Sequence, residues 1–459
     1  MKRENCWLNY TEDNLEILEK INTLYKQLLD NAKTERECIN VIIDLCKKAD
    51  YKDLKEIIKN RETVKVGDKV YYDFMNKSIV LYHIGEEDIE NGMNILGAHI
   101  DSPRIDVKQN PLYEDGELAL LDTHYYGGIK KYQWVAMPLA LHGVIIKKDG
   151  TKVDIVIGEK EEDPVFVITD LLAHLSAEQM DKKARVVIEG ENLDLLIGNK
   201  PLHDTEKDAV KANILKILKD NYDVEEEDFL SAELEIVPAG KARDCGLDKS
   251  MIMAYGQDDR VCAFTSLMAM LSEKQIKKTS CLILVDKEEI GSVGATGMES
   301  KFFENSLAEL MDRMESYSEL KLRRTLQNSK MLSSDVSAAY DPLYSSAYEK
   351  KNTAYFAKGL VFNKFTGSRG KSGSNDANAE YIAHLRNIMD RNNVSFQTAE
   401  LGRVDLGGGG TIAYIMANYG MQVIDSGVAV LCMHAPWEIT SKADIYEAVK
   451  GYKAFLIEA

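Results

Sequence analysis

Apolar residues recur at Leu15, Leu18, Ile21, Leu24 and Leu28, a helical spacing that predicts an amphipathic helix, and a second periodic segment at 35–46 predicts another. Two β-rich runs within 69–82 flank Asn76-Lys77 and read as a hairpin. The run at 94–98 reads as a strand leading into His99, with Pro103 as its stop. Over 105–238 the texture changes. Short β-like runs at 152–157, 165–168 and 185–189 alternate with polar turns, and a charged stretch at 206–228 includes a periodic helix. After the turn Pro238-Ala239-Gly240, strand, loop and helix alternate. A strand at 251–255 precedes a helix opening at Gln257 and running to Ser272, followed by the apolar strand 281–284 and a strand at 330–332. A Gly-rich turn at 407–410, a strand at 428–433 ending in His434, and a helix at 444–457 complete the chain. This alternation predicts an α/β fold with crossover helices. It divides into a discontinuous domain (1–104 and 239–459) and an inserted β-rich domain (105–238).

Composition narrows the function class. With 57 Lys+Arg against 75 Asp+Glu, the net charge of -18 argues against nucleic acid, whose phosphates need a basic surplus. It equally disfavours an anionic membrane surface. The basic opening Met1-Lys2-Arg3 is followed by no apolar core, and no run of about 18 apolar residues occurs. A cytoplasmic protein with no membrane partner is therefore expected. The seven cysteines include no C-x-x-C pair and sit mostly in apolar patterns, as reduced packing residues do.

Chemistry concentrates at strand ends. The apolar strand at 281–284 delivers two adjacent carboxylates, Glu288 and Glu289, to an edge where α/β sheets bind ligands. Adjacent side chains leaving a strand diverge, so one of the two can bind metal while the other moves protons. Alone, such a pair is usually a solvated acidic turn. His99, Asp258, Asp335 and His434 also lie at or near strand ends, although a lone strand histidine is more often a core residue, and Asp258 or Asp335 can simply cap a helix. Together with Glu289 they make two imidazoles and three carboxylates, a donor set suited to zinc, expected to converge on one edge of one sheet. Alternation places Asp101 on the side of His99, where it can accept the proton of the imidazole nitrogen that does not bind metal. Arg260 can orient a carboxylate, and Asp258 can bridge two metals roughly 3.5 to 4 Å apart. The run Gly407 to Gly410 lacks a P-loop lysine and fits close backbone approach to a substrate at Gly409 and Gly410 better than a phosphate loop. His124, His142, His174, His203 and His384 lack partners at ligand spacing.

The motifs GAHIDSPR (97–104), YGQDDRV (255–261), VDKEEIGS (285–292), SSDVSAA (333–339) and MHAPWE (433–438) stand in the order and spacing of the aspartyl aminopeptidase family of dizinc metallopeptidases, which the chain resembles over nearly its whole length as a bacterial-type member. The resemblance implies a mixed-sheet zinc-peptidase domain with helices on both faces and an inserted dimerisation domain. It implies two Zn2+ per subunit, one between His99, Asp258 and Asp335 and one between Asp258, Glu289 and His434, with Co2+ or Mn2+ able to occupy the same ligands. Glu288 is then the general base, Asp101 supports catalysis, and a metal-bridging hydroxide attacks the first peptide bond of a peptide substrate. A tetrahedral homododecamer built from dimers is implied as well.

Two departures bear on specificity. Family members that prefer acidic N-terminal residues carry a histidine in the insert where Asp170 stands here, and a basic residue where Asn363 stands. Preference for acidic N-terminal residues therefore rests on Lys364, Arg369 and Lys371. Two other readings stay open: a non-catalytic shell-forming scaffold, against which the retained Glu288-Glu289 pair counts, and a related dizinc hydrolase of N-acyl amino acids or C-terminal peptide bonds.

Overall fold

The computed structural model describes residues 4–272 and 276–459, which form a mixed α/β fold; the basic opening at 1–3 lies outside the described residues. The chain divides into two units, one of Met1–Asp101, Ala242–Met433 and Glu438–Ala459, the other of Ser102–Lys241 and His434–Trp437.

In the larger unit, among the described residues, a nine-stranded sheet runs in the order Lys52–Asp53, Lys69–Phe74, Ser78–His83, Ser280–Val285, Asn94–His99, Lys330–Ser334, Gln422–Gly427, Leu360–Asn363, Phe396–Thr398. Its four central strands, Ser280–Val285 through Gln422–Gly427, are parallel, and antiparallel neighbours flank them on both sides. Strands covered on both faces read as continuous apolar runs, which is why Ser280–Val285 and Asn94–His99 are buried at every position. Alternate residues feed two separate cores. Leu96, Ala98, Leu282 and Leu332 pack with the helices Gln257–Leu271, Ala379–Arg391 and Lys442–Glu458, while Ile95, Ile283, Val285 and Met331 pack with Phe302–Arg313, Glu319–Asn328 and Ala413–Ala417. Helices thus cover both faces. A second, five-stranded sheet in the same unit carries Met251–Ala254, Glu438–Ser441 and Ala429–Leu431.

The predicted helices at 15–28 and 35–46 are found as Glu12–Asn31 and Glu35–Lys48, each opened by a threonine capping box. The buried face of the first differs from the predicted stripe: Leu18, Tyr25, Leu28 and Leu29 are buried, but Leu15 and Leu24 are exposed. Steps of three residues advance about 300° and drift around the helix, so a run of such steps cannot stay on one face. The hairpin turns at Met75-Asn76, both left-handed. The strand expected to run to Pro103 ends at His99. The strand expected at 428–433 is found as the shorter Ala429–Leu431, and the strand Gln422–Gly427 before it, which belongs to a different sheet, was not expected.

The smaller unit carries, among the described residues, a six-stranded antiparallel sheet formed by Lys152–Ile157, Leu139–Ile146, Ala232–Pro238, Arg104–Asp115, Leu118–Tyr126 and Leu195–Gly198, with the helix Ala209–Tyr222 packed on it. Two expected strands are absent here: 165–168 makes only isolated bridges at Phe166 and Val167, and 185–189 falls in and after the short helix Ala184–Val186. Apolar content alone does not separate strand from loop in short runs.

Candidate metal centre

Three neighbouring parallel strands end at the same edge of the large sheet and set the site. Asn94–His99 ends in His99 itself, Ser280–Val285 leads to Glu288 and Glu289, and Lys330–Ser334 is followed by Asp335. Asp258 reaches the same place from the five-stranded sheet, four residues after Met251–Ala254. The expected convergence on one sheet edge is therefore corrected, since the donors come from two sheets. The donor atoms of His99, Asp258 and Glu289 lie within 4.8 Å of one another, as do those of His99, Glu288 and Asp335, and of Asp258, Asp259 and Asp335. Asp259 was not singled out from the sequence, because it stands behind its more conspicuous neighbour Asp258.

His99 Nε2 faces Asp258 Oδ1 at 3.2 Å and Glu288 Oε2 and Asp335 Oδ1 at 3.9 Å. Its Nδ1 lies 3.0 Å from the Asp101 carbonyl and 3.3 Å from the Asp101 carboxylate. A proton on Nδ1 leaves the Nε2 lone pair facing the carboxylates, the tautomer a metal ligand needs. The Asp101 carboxylate, fully buried, also accepts the backbone N–H groups of Glu288 (3.2 Å) and Glu289 (3.1 Å). Asp101 thus orients both groups, the imidazole through its carbonyl with the carboxylate close by, and the acidic turn through its carboxylate.

The turn is held independently. Lys287, Gly291 and Ser292 all have positive φ, and Ser292 N–H donates to the Lys287 carbonyl at 2.7 Å. Asp286 anchors it by accepting from Thr296 Oγ1 (2.6 Å) and pairing with Lys287 Nζ (2.9 Å). Burial, with Glu35 and Asp101 nearby, pushes the Asp286 carboxyl up to about 6. Asp258 and Asp259 carry non-helical backbone angles at the start of Gln257–Leu271, and Asp258 N–H donates to Glu438 Oε2 at 3.0 Å. Gln257 locks the same turn by donating to the Glu438 carbonyl and accepting from Thr440. Arg260 is fully buried and donates to the Lys33 carbonyl at 2.9 Å, a bond to the backbone.

Electrostatically the cluster calls for a cation. Burial pushes the Asp335 carboxyl well above its ordinary range, with the charge of Glu288 adding to it, and burial does the same to Asp259. Burial opposes a charge on His99, yet Asp101, Asp258 and Glu288 around the ring outweigh it and hold its pKa well above 6.5. Carboxylates this close cannot all ionise without a compensating positive charge. Two of the groups offer one imidazole nitrogen with two carboxylate oxygens and the third offers three oxygens, donors that suit a divalent metal such as zinc.

The remaining expected residues belong to none of the three donor groups. His434, left-handed at φ 64°, groups with the smaller unit, where its Nδ1 lies 3.0 Å from the Gly128 carbonyl; none of the three donor groups contains it. Asp170 is exposed and accepts from the Leu171 N–H and Gln179 Nε2. Lys364 and Lys371 both approach Asp376, at 3.6 and 2.8 Å, and Arg369 is exposed with φ 52°. In the Gly-rich run, Gly407 and Gly408 are packed on their own chain: an added Cβ would meet the Leu401 carbonyl oxygen at 1.6 Å and the Gly367 carbonyl oxygen at 2.0 Å. Gly410 faces open space, and the Cβ of Gly409 would meet only Leu401 Cδ2 at 3.8 Å.

Comparison with known proteins agrees with this chemistry. A family model described as aminopeptidase I zinc metalloprotease (M18) matches residues 28–456. A probable M18 family aminopeptidase 1 of Clostridium acetobutylicum is 61% identical over 454 residues, covering 99% of this chain and 98% of the relative. The crystal structure of the M18 aminopeptidase from Thermotoga maritima superposes with a TM-score of 0.96 at 43% identity over 100% of both chains. At 20% identity, the S. cerevesiae mApe1 dodecamer structure shares the fold, with a TM-score of 0.77 over 95% of this chain and 96% of that one.

Proposed function

This chain belongs to the M18 family of zinc metalloproteases and is an aminopeptidase, and on that premise we propose that Glu288 is its general base and that its metals sit among His99, Asp258, Glu289, Asp335 and His434. The observation that carries the proposal is the orientation of His99, with Nε2 turned to Asp258, Glu288 and Asp335 while Nδ1 is tied to Asp101. Two zinc ions per subunit are proposed, His99, Asp258 and Asp335 holding one, and Asp258, Glu289 and His434 the other; Co2+ or Mn2+ suits the same oxygens and nitrogens. The place of Asp258 in two of the three donor groups supports its bridging part, and that of His434 rests on the family resemblance. Bound zinc supplies Lewis-acid polarisation of the scissile carbonyl and acidifies water.

The chain's own residues then do the following. Glu288, side chain 14% exposed, takes the proton of the attacking water and returns it to the leaving amine. Asp101 keeps Glu288 in place through its N–H and keeps the proton on Nδ1 of His99. The carboxylate-rich wall suits the free α-ammonium of a peptide, which limits cleavage to the N-terminal residue. Lys364, Arg369 and Lys371 supply a basic loop that favours acidic N-terminal residues, weakened by Asp376, which draws two of the three cations.

Residues 105–238 are proposed as the dimerisation domain of a tetrahedral dodecamer. Supporting this, Leu171, Leu172, Leu175 and Met180 are 46%, 54%, 67% and 73% exposed within ten residues of one another, more apolar surface than a lone loop normally shows to water. A cytoplasmic location fits seven free cysteines, and among the described residues no helix is long and apolar enough to cross a membrane. A panel of aminoacyl substrates with Asp, Glu, Lys and Leu, each free and N-blocked, tests the reading. Turnover is expected for free amines alone, and hydrolysis of the blocked ones would point instead to an N-acyl hydrolase.

A further inference from the structure

One polar row in the large sheet is unused by the chemistry above. Gly97, Ser333, Asp425 and Asn363 are directly paired across four neighbouring strands. The side chains of Ser333, Asp425 and Asn363 share one face, because Leu332, Ile424 and Phe362, the alternate residues, enter the core on the other face. His99, the last residue of its strand, stands two residues beyond Gly97 on that same face, and Asp335 follows Ser333 by two residues, just past the end of its strand. The row therefore lies one pleat repeat, about 7 Å, behind the metal donors.

A buried polar row in a sheet core is costly unless it is bonded, and this one is only partly so. Asp425 is 2% exposed; Thr411 Oγ1 donates to its Oδ1 at 2.6 Å, while Oδ2 meets no donor from another side chain among the described residues. Ser333 Oγ, fully buried, likewise has no partner there. Burial pushes the Asp425 carboxyl up to about 7, and the charge of Glu288 adds to the shift.

Thr411 ends the Gly-rich run. Its Oγ1 accepts the Ala413 N–H at 3.3 Å while donating to Asp425, and the next residue, Ile412, packs with Met331 beside Gly97, where an added Cβ would meet Met331 Cε at 2.3 Å and Ile412 Cδ1 at 3.3 Å. At the other end, Gly407 and Gly408 are pressed against residues 401 and 367. The run is thus clamped at both ends, and only its middle, Gly409 and Gly410, presents uncrowded backbone. A clamped, side-chain-free stretch is the form of backbone that can lie against an extended peptide.

We propose that Asp425 and Thr411 are substrate-positioning residues, the hydrogen bond between them fixing Gly409-Gly410 over the polar row so that this backbone aligns the incoming peptide with Glu288. The inference rests on the aminopeptidase reading and adds to it two residues that touch neither metal nor scissile bond. Thr411→Val removes the donor at nearly constant volume. KM for a peptide substrate is expected to rise about tenfold with kcat within about twofold of wild type, since ground-state alignment is lost but the base is untouched. Thr411→Ser, which restores the hydroxyl, should return KM to the wild-type range, and amide exchange over 407–411 should quicken in the valine variant alone. Asp425→Leu, or Thr411→Ala if the valine does not fold, reads the same KM. Unchanged KM and exchange in folded Thr411→Val, or a fall in kcat at constant KM, would overturn the positioning role while leaving the peptidase intact. A wild-type protein without aminopeptidase activity would remove both.

Discussion

Two acidic-basic neighbourhoods in the larger unit are built in opposite ways. Around His99 the charged groups are buried or half-buried, His99 2% and Asp258 3% exposed, and two of the contributing turns are pinned through the backbone: Glu288 and Glu289 to Asp101, Asp258 to Glu438. In the loop at 364–376 the charged groups are exposed, and Lys364 and Lys371 share the single carboxylate of Asp376. Buried charges must be fixed to be tolerated, and fixing them is also what a reaction centre requires. Exposed pairs contribute little to stability and can change freely. On the proposed reading the chemistry sits where the charges are pinned, and the selection of substrate falls to a surface loop.

The contrast can be broken at the buried end first. Asp258→Asn removes a charge from two of the three donor groups, so zinc bound per subunit, measured by elemental analysis after gel filtration, should fall by half or more. Asp101→Asn should leave metal bound but lower activity about 10- to 100-fold, because one amide cannot serve His99 and both N–H groups; activity within about twofold of wild type would remove it from the site. Effects should shrink at the loop. Lys364→Ala with Lys371→Ala should lower kcat/KM for Asp and Glu substrates less than about tenfold relative to Leu, and equal loss on all substrates would deny the loop a part in selection.

A smaller effect concerns stability. Burial pushes Asp444 up to about 7 although it accepts the N–H groups of Gly359 and Ala357. A raised carboxyl pKa means the folded state holds the proton more tightly, a contribution present at low pH and lost as pH rises toward 7. The Tm of wild type minus that of Asp444→Asn should therefore fall between pH 5 and pH 8.

Much of the fold was legible because parallel strands covered on both faces are uniformly apolar and end abruptly at polar residues. His99 after 94–98, Glu288 after 281–284 and Asp335 after 330–332 all follow strands found where expected. That Asp258 arrives from a second sheet was not legible, since sequence order carries no sheet membership. Asp425 lies in Gln422–Gly427, a strand the pattern did not predict, and its meaning depends on Ser333 and Asn363 beside it, pairings that only the register reveals. Short runs such as 165–168 and 185–189 failed because their apolar residues pack from loops and single turns.

The most direct test of the account is Glu288→Gln, with metal content and turnover measured on the same preparation. The amide keeps the size and the turn but cannot accept a proton, so zinc should stay at the wild-type level while kcat falls by about a thousandfold or more. A variant that keeps its zinc and still turns over within about tenfold of wild type would contradict the assignment of Glu288 as the base.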